Sequence, residues 1–151
     1  MTSPLEFWVG IWDVHDSVTG ERAGTNEVVS ILDGLGVLER WRGASGLEGA
    51  SLFWSDGATG TWQQVWATSA GWAKQKTMVA ADDPDAVRFE GVVTLPDGSR
   101  VRDRTTLTPL GDGRVRQVIE VAPVDDGAWE VGFDAVYTPA LSPIGTADSG
   151  S

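Results

Sequence analysis

Five polar residues of this chain fall where strand alternation turns them toward an apolar interior: Glu39, Gln64, Asp103, Gln117 and Tyr137. A carboxyl group enclosed by apolar walls is pushed toward its neutral form, which makes Glu39 and Asp103 candidate acids or bases. The amides of Gln64 and Gln117 and the phenol of Tyr137 can donate hydrogen bonds that polarise a carbonyl group. Large rings surround them in sequence. Trp41 lies two residues after Glu39, and Trp62 and Trp66 bracket Gln64 at the same spacing. The pattern predicts a catalytic set of Glu39, Gln64, Gln117 and Tyr137. Trp41, Trp62, Trp66, Phe89, Asp103, Trp129 and Phe133 are expected to contact the substrate.

Other chemistries lack their parts. There is no cysteine and one histidine, His15, so a nucleophilic triad or dyad would depend on that residue alone. Its partner in alternation, Asp13, places His15 on an outward or rim position. No Gly-x-Ser-x-Gly elbow, phosphate loop or dinucleotide fingerprint occurs. One imidazole and no thiolate are too few for a zinc site. The acidic run Asp82-Asp83-Pro84-Asp85 reads as turn chemistry. No metal and no cofactor are expected.

The elements that would position these side chains are strands. Ser3-Pro4-Leu5-Glu6 has the form of a capping box, and Gly10 stops it after a turn or two of helix. From there the chain alternates in short runs near 11–15, 24–32, 36–43, 49–55, 61–69, 71–80, 86–95, 99–107, 113–121 and 128–138. Asp-Gly and similar turn pairs separate them. No gap is long enough for a parallel crossover, so the sheet is expected to be antiparallel. Ten hairpin-linked strands avoid exposed edges by closing into an up-and-down barrel. The barrel domain is expected over 1–140, with a flexible tail over 141–151.

Alternation then assigns faces. Glu39 and Trp41 oppose Arg40 and Arg42. Val87, Phe89, Gly91 and Val93 oppose Arg88 and Glu90. Asp103 shares its side with Val101, Thr105 and Leu107, and Gln117 with Val115, Ile119 and Val121. Trp129, Val131, Phe133, Ala135 and Tyr137 form one face of the last run. Runs 24–32, 49–55 and 71–80 stay unassigned. The first two are apolar on both sides, and in the third Met78 shares its side with Lys74 and Lys76.

With 11 basic against 22 acidic residues the net charge is −11, which disfavours nucleic acid and anionic membranes as partners. The arginines at 100, 102, 104, 114 and 116 read as a solvated face. The start has no basic segment followed by a long apolar one, and no run is long enough to span a membrane, so a cytoplasmic protein is expected. A second copy of the chain is the one protein partner left open.

Gly10-Ile11-Trp12 matches the Gly-x-Trp that opens lipocalins and related calycin barrels. Gly24-Thr-Asn26, Leu38-Glu39-Arg-Trp41-Arg-Gly43, Trp62-Gln-Gln64-Val-Trp66, Asp112-Gly-Arg-Val-Arg-Gln117 and Trp129 to Tyr137 follow in order. From about Leu5 to Thr138 the chain resembles an uncharacterised bacterial family of lipocalin-like domains. The resemblance implies a ten-stranded barrel with Trp12 at its floor, and carries no common activity. Haem-binding barrels of related form rely on a late histidine, which this chain lacks. The expected function is a cofactor-free cyclase or isomerase acting on a hydrophobic polyene or polyketide-type substrate. The alternative is a non-catalytic carrier of a small apolar molecule.

Overall fold

The computed structural model describes residues 3–140; the tail expected at 141–151 lies outside the described residues. Ten strands follow in chain order: β1 (Gly10–Asp16), β2 (Arg22–Ile31), β3 (Gly36–Gly43), β4 (Glu48–Asp56) and β5 (Thr61–Thr68). Then come β6 (Ala73–Val79), β7 (Val87–Thr94), β8 (Arg100–Pro109), β9 (Val115–Pro123) and β10 (Glu130–Pro139). Each pairs antiparallel with its neighbours in sequence, and β1 closes on β10 through contacts running from Trp12–Pro139 to Asp16–Ala135. The result is the closed all-β, up-and-down barrel expected from the turn rhythm.

Among the described residues the remaining regular structure is two single 3-10 turns, at Glu6–Trp8 and Leu32–Gly34. The first is shorter than a capping box implies. The Ser3 Oγ accepts from the Leu5 amide at 3.2 Å and the Ser3 carbonyl from the Glu6 amide at 3.1 Å, so the turn closes locally and stops. Its purpose is to drive Trp8 into one end of the barrel. That ring is fully buried and meets Phe53 edge-on at 5.6 Å; Phe53 meets Phe89 at 5.2 Å. The Trp12 indole N–H donates to the Trp8 carbonyl at 2.8 Å, tying β1 to the plug.

The connections β1–β2, β3–β4, β5–β6, β7–β8 and β9–β10 gather at the opposite end. They are tight because glycine takes the positive φ their geometry requires, as at Gly98 (φ 87°) between β7 and β8. This end is the mouth. Among the described residues no helix is long and apolar enough to cross a membrane.

Alternation places the inward residues of β3, β5, β7, β8 and β9 as expected, and resolves the three unassigned runs. Asn26 and Val28 face inward from β2, Ser51 and Phe53 from β4, and Lys74, Lys76 and Met78 from β6. The last run needs a correction. Val131 lies opposite Glu120 and Phe133 opposite Ile119, so Gly132 is an extra residue that shifts the register between them. Before this bulge the faces exchange. Val131 is 60% exposed, and the Trp129 ring lies outside, stacked beneath the guanidinium groups of Arg102 and Arg104 at 4.7 and 4.1 Å.

Candidate functional site

Each strand carries a different kind of inward residue as it runs from plug to mouth. β4 presents Phe53, then Ser51, then Gly49; β3 presents Val37, Glu39, Trp41; β6 presents Met78, Lys76, Lys74. The apolar members pack with Trp8 into a filled floor. The polar members form a belt across the middle of the lumen, and above it the barrel opens into a cavity of about 170 Å³. Its walls are Trp41, Trp66, Ile119 and Phe133, and its base is Glu39, Gln64, Lys74, Lys76, Thr105, Gln117 and Tyr137.

Two glycines make room for the walls. A Cβ on Gly49 would lie 2.2 Å from the Trp66 ring, and one on Gly24 would lie 2.9 Å from the Trp41 ring. Both indoles therefore lie flat against backbone and leave the centre of the mouth unfilled. Trp41 is held edge-on by Phe133 at 6.1 Å.

The belt is two hydrogen-bonded groups. In the first, Asn26 Nδ2 donates to Glu39 Oε2 at 2.9 Å and Gln64 Nε2 donates to Ser51 Oγ at 3.2 Å. These are diagonal neighbours on adjacent strands, as the tilt of barrel strands brings together. Gln117 Nε2 donates to the Tyr137 hydroxyl at 2.6 Å. Burial pushes the Glu39 carboxyl up to about 7, against hydrogen bonds from Asn26 and Ser51 and the opposing pull of the Lys76 ammonium. Burial, then the Glu39 charge, raises the Tyr137 phenol well above its ordinary range, so it acts there as a neutral hydroxyl.

The second group is Lys74–Asp103–Lys76. Lys74 Nζ lies 2.6 Å from Asp103 Oδ2 and Lys76 Nζ 2.8 Å from Asp103 Oδ1; Lys76 also donates to Thr105 Oγ1. Lys76 and Asp103 belong to strands two apart, with Gly91 of β7 between them. Gly91 pairs with Asp103, and a Cβ there would crowd the Lys76 stem at 3.3 Å and the Gln75 carbonyl at 2.7 Å. The absent side chain is what lets the lysine reach across. Burial would raise the Asp103 carboxyl, but Lys76 and then Lys74 outweigh it and hold the carboxyl below its usual value. Burial lowers the Lys76 amine, Lys74 adds to the effect, and Asp103 and Glu39 oppose it.

Of the residues expected to act, Glu39, Gln64, Gln117 and Tyr137 all line this cavity, with Trp41, Trp66 and Phe133. Four expected contacts do not. Phe89 faces inward but is part of the filled floor, and Trp62 packs against that floor. Asp103 is fully buried behind its two lysines. Trp129 is outside, for the reason given by the Gly132 bulge. His15 lies on the outward side of β1, opposite Val136.

Sequence reasoning placed Thr105 inward without giving it a role, and missed Lys74, Lys76, Asn26 and Ser51. A signal for the lysines was present. The chain's 11 basic residues are nine arginines and only two lysines, and both lysines sit two apart on one strand. Every arginine takes an outward or turn position, while both lysines point into the lumen.

No family model matches the chain, and no curated protein matches it. The closed ten-stranded antiparallel barrel is consistent with a lipocalin-like fold. Among the described residues no group of three or more His, Cys, Asp or Glu side chains is placed to hold a metal ion.

Proposed function

We propose that the open half of the barrel binds one small molecule with an apolar body and a carbonyl oxygen, and isomerises or cyclises it without a resident cofactor. One observation carries this reading. A carboxyl group that titrates near neutral pH, Glu39, shares a cavity of about 170 Å³ with two lysines and flat aromatic walls. An apolar cavity of roughly 150 Å³ takes up benzene, so the occupant is about the size of one substituted ring or a folded short chain. A longer polyene or polyketide-type substrate would seat one such portion here, with the rest leaving through the open mouth.

In this mechanism the Lys74 side chain, with the Gln64 amide, faces the carbonyl oxygen and stabilises negative charge as it develops there. Glu39 as carboxylate removes a proton from the carbon beside the carbonyl, and as carboxylic acid returns it at another carbon. Trp41, Trp66 and Phe133 hold the apolar body in one reactive shape, which contributes through orientation. Membership of the bacterial lipocalin-like barrels and a cytoplasmic, biosynthetic role belong to the same proposal.

A carrier reading has one observation in its favour. Lys74, Asp103, Lys76 and Thr105 satisfy one another, so they can orient a ligand without reacting with it. The test is exchange of α-hydrogens of small aryl ketones in deuterated water, followed by NMR, beside tryptophan fluorescence titration of the same compounds. Exchange that Glu39→Gln abolishes while quenching persists supports the isomerase. Quenching without exchange leaves the carrier, and a flat titration removes both.

A further inference from the structure

The two lysines differ from every other cation of the chain in where they point. An arginine stays protonated in proteins, whereas a buried lysine can release its proton and become a nucleophile. The interior holds only the cation type that can do so. The charge count in the belt says which one. Asp103 has one negative charge and two ammonium partners, one on each oxygen. One of those cations is enough to keep the carboxylate paired. Lys74 is the more exposed, at 14% against 3% for Lys76, and its ammonium also lies 5.1 Å above the Trp72 ring. Lys74 is thus the cation that stays, and Lys76 the one whose proton is dispensable.

From this arrangement we infer that Lys76 is an amine nucleophile that captures an aldehyde or ketone in the cavity as an imine. The assignment deepens the proposed function and rests on it, since the pocket must first hold a carbonyl compound. The desolvation that lowers the amine, and the coupling between Lys76 and Glu39, fit the same chemistry. The Lys76 ammonium releases a proton to solvent in the open cavity, and the Glu39 carboxylate, which lines the same cavity, takes one up. The free amine then attacks the carbonyl carbon, forming a C–N bond while the C=O electron pair moves to oxygen. A proton passes from nitrogen to that oxygen to give the carbinolamine. Glu39 returns its proton to the hydroxyl, which leaves as water, and the nitrogen lone pair forms the C=N bond. Ammonium plus carbonyl has become protonated imine plus water, and Glu39 is a carboxylate again. The protonated imine draws electrons from the neighbouring carbon, which is what the proton transfer by Glu39 requires.

The chain has so few amines that the test is direct. The full-length protein is incubated with benzaldehyde and sodium cyanoborohydride, which reduces an imine to a stable secondary amine. Intact mass counts the adducts and peptide mapping locates them. A single adduct at Lys76 is expected, formed about tenfold faster than at Lys74 or the α-amine, because its amine is the more enclosed of the two lysines lining the cavity that holds the aldehyde. Lys76→Arg is expected to remove it. Mapping on the unmutated protein keeps the test valid should that variant fold poorly. Equal labelling of all three amines, or labelling elsewhere with Lys76 untouched, overturns the assignment. Benzyl alcohol, with the same ring and no carbonyl, separates the two levels. If it quenches tryptophan fluorescence while benzaldehyde leaves Lys76 unlabelled, the imine fails and the pocket stands. If it neither quenches nor slows labelling, the pocket reading fails first.

Discussion

At the plugged end of the barrel, Trp8, Phe53, Phe89 and Tyr137 fill the lumen ring against ring, and none is more than 2% exposed. A few ångströms along the same strands the inward positions hold Asn26, Glu39, Ser51, Gln64 and Lys76, and beyond them glycines and flattened indoles around a hollow. The backbone is one continuous closed ladder through both halves. What differs is the side-chain volume and polarity mounted on it. The packed half supplies apolar burial, and the open half spends part of that stability on buried charge. Unpartnered buried polar atoms occur in both halves, the Trp8 indole N–H at the packed end and Asn26 Oδ1 and Gln64 Oε1 in the belt.

The largest effect is therefore expected in the packed half. Phe53→Ala removes a ring that touches both Trp8 and Phe89 and should destabilise by about 3–5 kcal/mol, read by urea unfolding. Fluorescence quenching by small aryl ketones should survive at temperatures where the variant is folded. A loss of less than about 1 kcal/mol would mean that the floor is not the stabilising half.

Which half is which was only partly legible in the sequence. Alternation works where one face is charged, so Arg40 and Arg42 betrayed Glu39 and Trp41, and Arg88 and Glu90 betrayed Phe89. It fails where polarity is inverted for a purpose. Lys74 and Lys76 point inward from β6, and a rule that sends charge to water cannot place them. In β2 the inward Asn26 and the outward, 39% exposed Val29 blur both faces at once. The partnership of Lys76 with Asp103 across Gly91 is a contact between strands two apart, and no local pattern encodes it. The bulge at Gly132 adds one residue, and one residue is enough to exchange inside for outside.

In the open half Glu39→Gln should have an effect whose size depends on pH. The carboxyl rises from 4.5 to about 7 on folding, so the folded state binds the proton more tightly than the unfolded chain. Stability from this group is present below about 4.5 and is lost as pH climbs through about 7, a change on the order of 3 kcal/mol. The groups facing it are Asn26, Ser51, Lys76 and Tyr137. Glutamine fills the same space without the charge. The variant should match the unmutated protein at pH 4 and exceed it in stability at pH 8. Thermal unfolding at the two values measures the difference, and a gap that does not change with pH would remove the buried-carboxyl account.

A smaller effect is expected at the mouth. Gly49→Ala puts a Cβ where the Trp66 ring lies, so the indole must swing into the hollow it now borders. Overpacking of this kind costs about 1–3 kcal/mol. Here ligand affinity should fall more than stability, because the displaced ring occupies the binding volume. Stability lost with affinity unchanged would mean that Trp66 moves away from the cavity.

The smallest effect is expected at Trp129, and it separates the two faces of the barrel most cleanly. Had β10 alternated without interruption, this ring would stand in the lumen beside Phe133, and Trp129→Ala would weaken ligand binding. With Gly132 bulged, it covers Arg102 and Arg104 on the outer surface. Exposed cation–π contacts are worth roughly 0.5–1 kcal/mol, so the variant should lose about that much and keep the full ligand-induced quench. Trp66→Ala should do the reverse, retaining its fold while the quench disappears. Deleting Gly132 removes only the extra residue, leaving Val131 and Phe133 as consecutive partners of Glu120 and Ile119, so Trp129 should stay outside and remain insensitive to ligand. If the two alanine variants exchange their behaviour, the register at Val131–Phe133 is misplaced, and the mouth of the cavity must be redrawn with it.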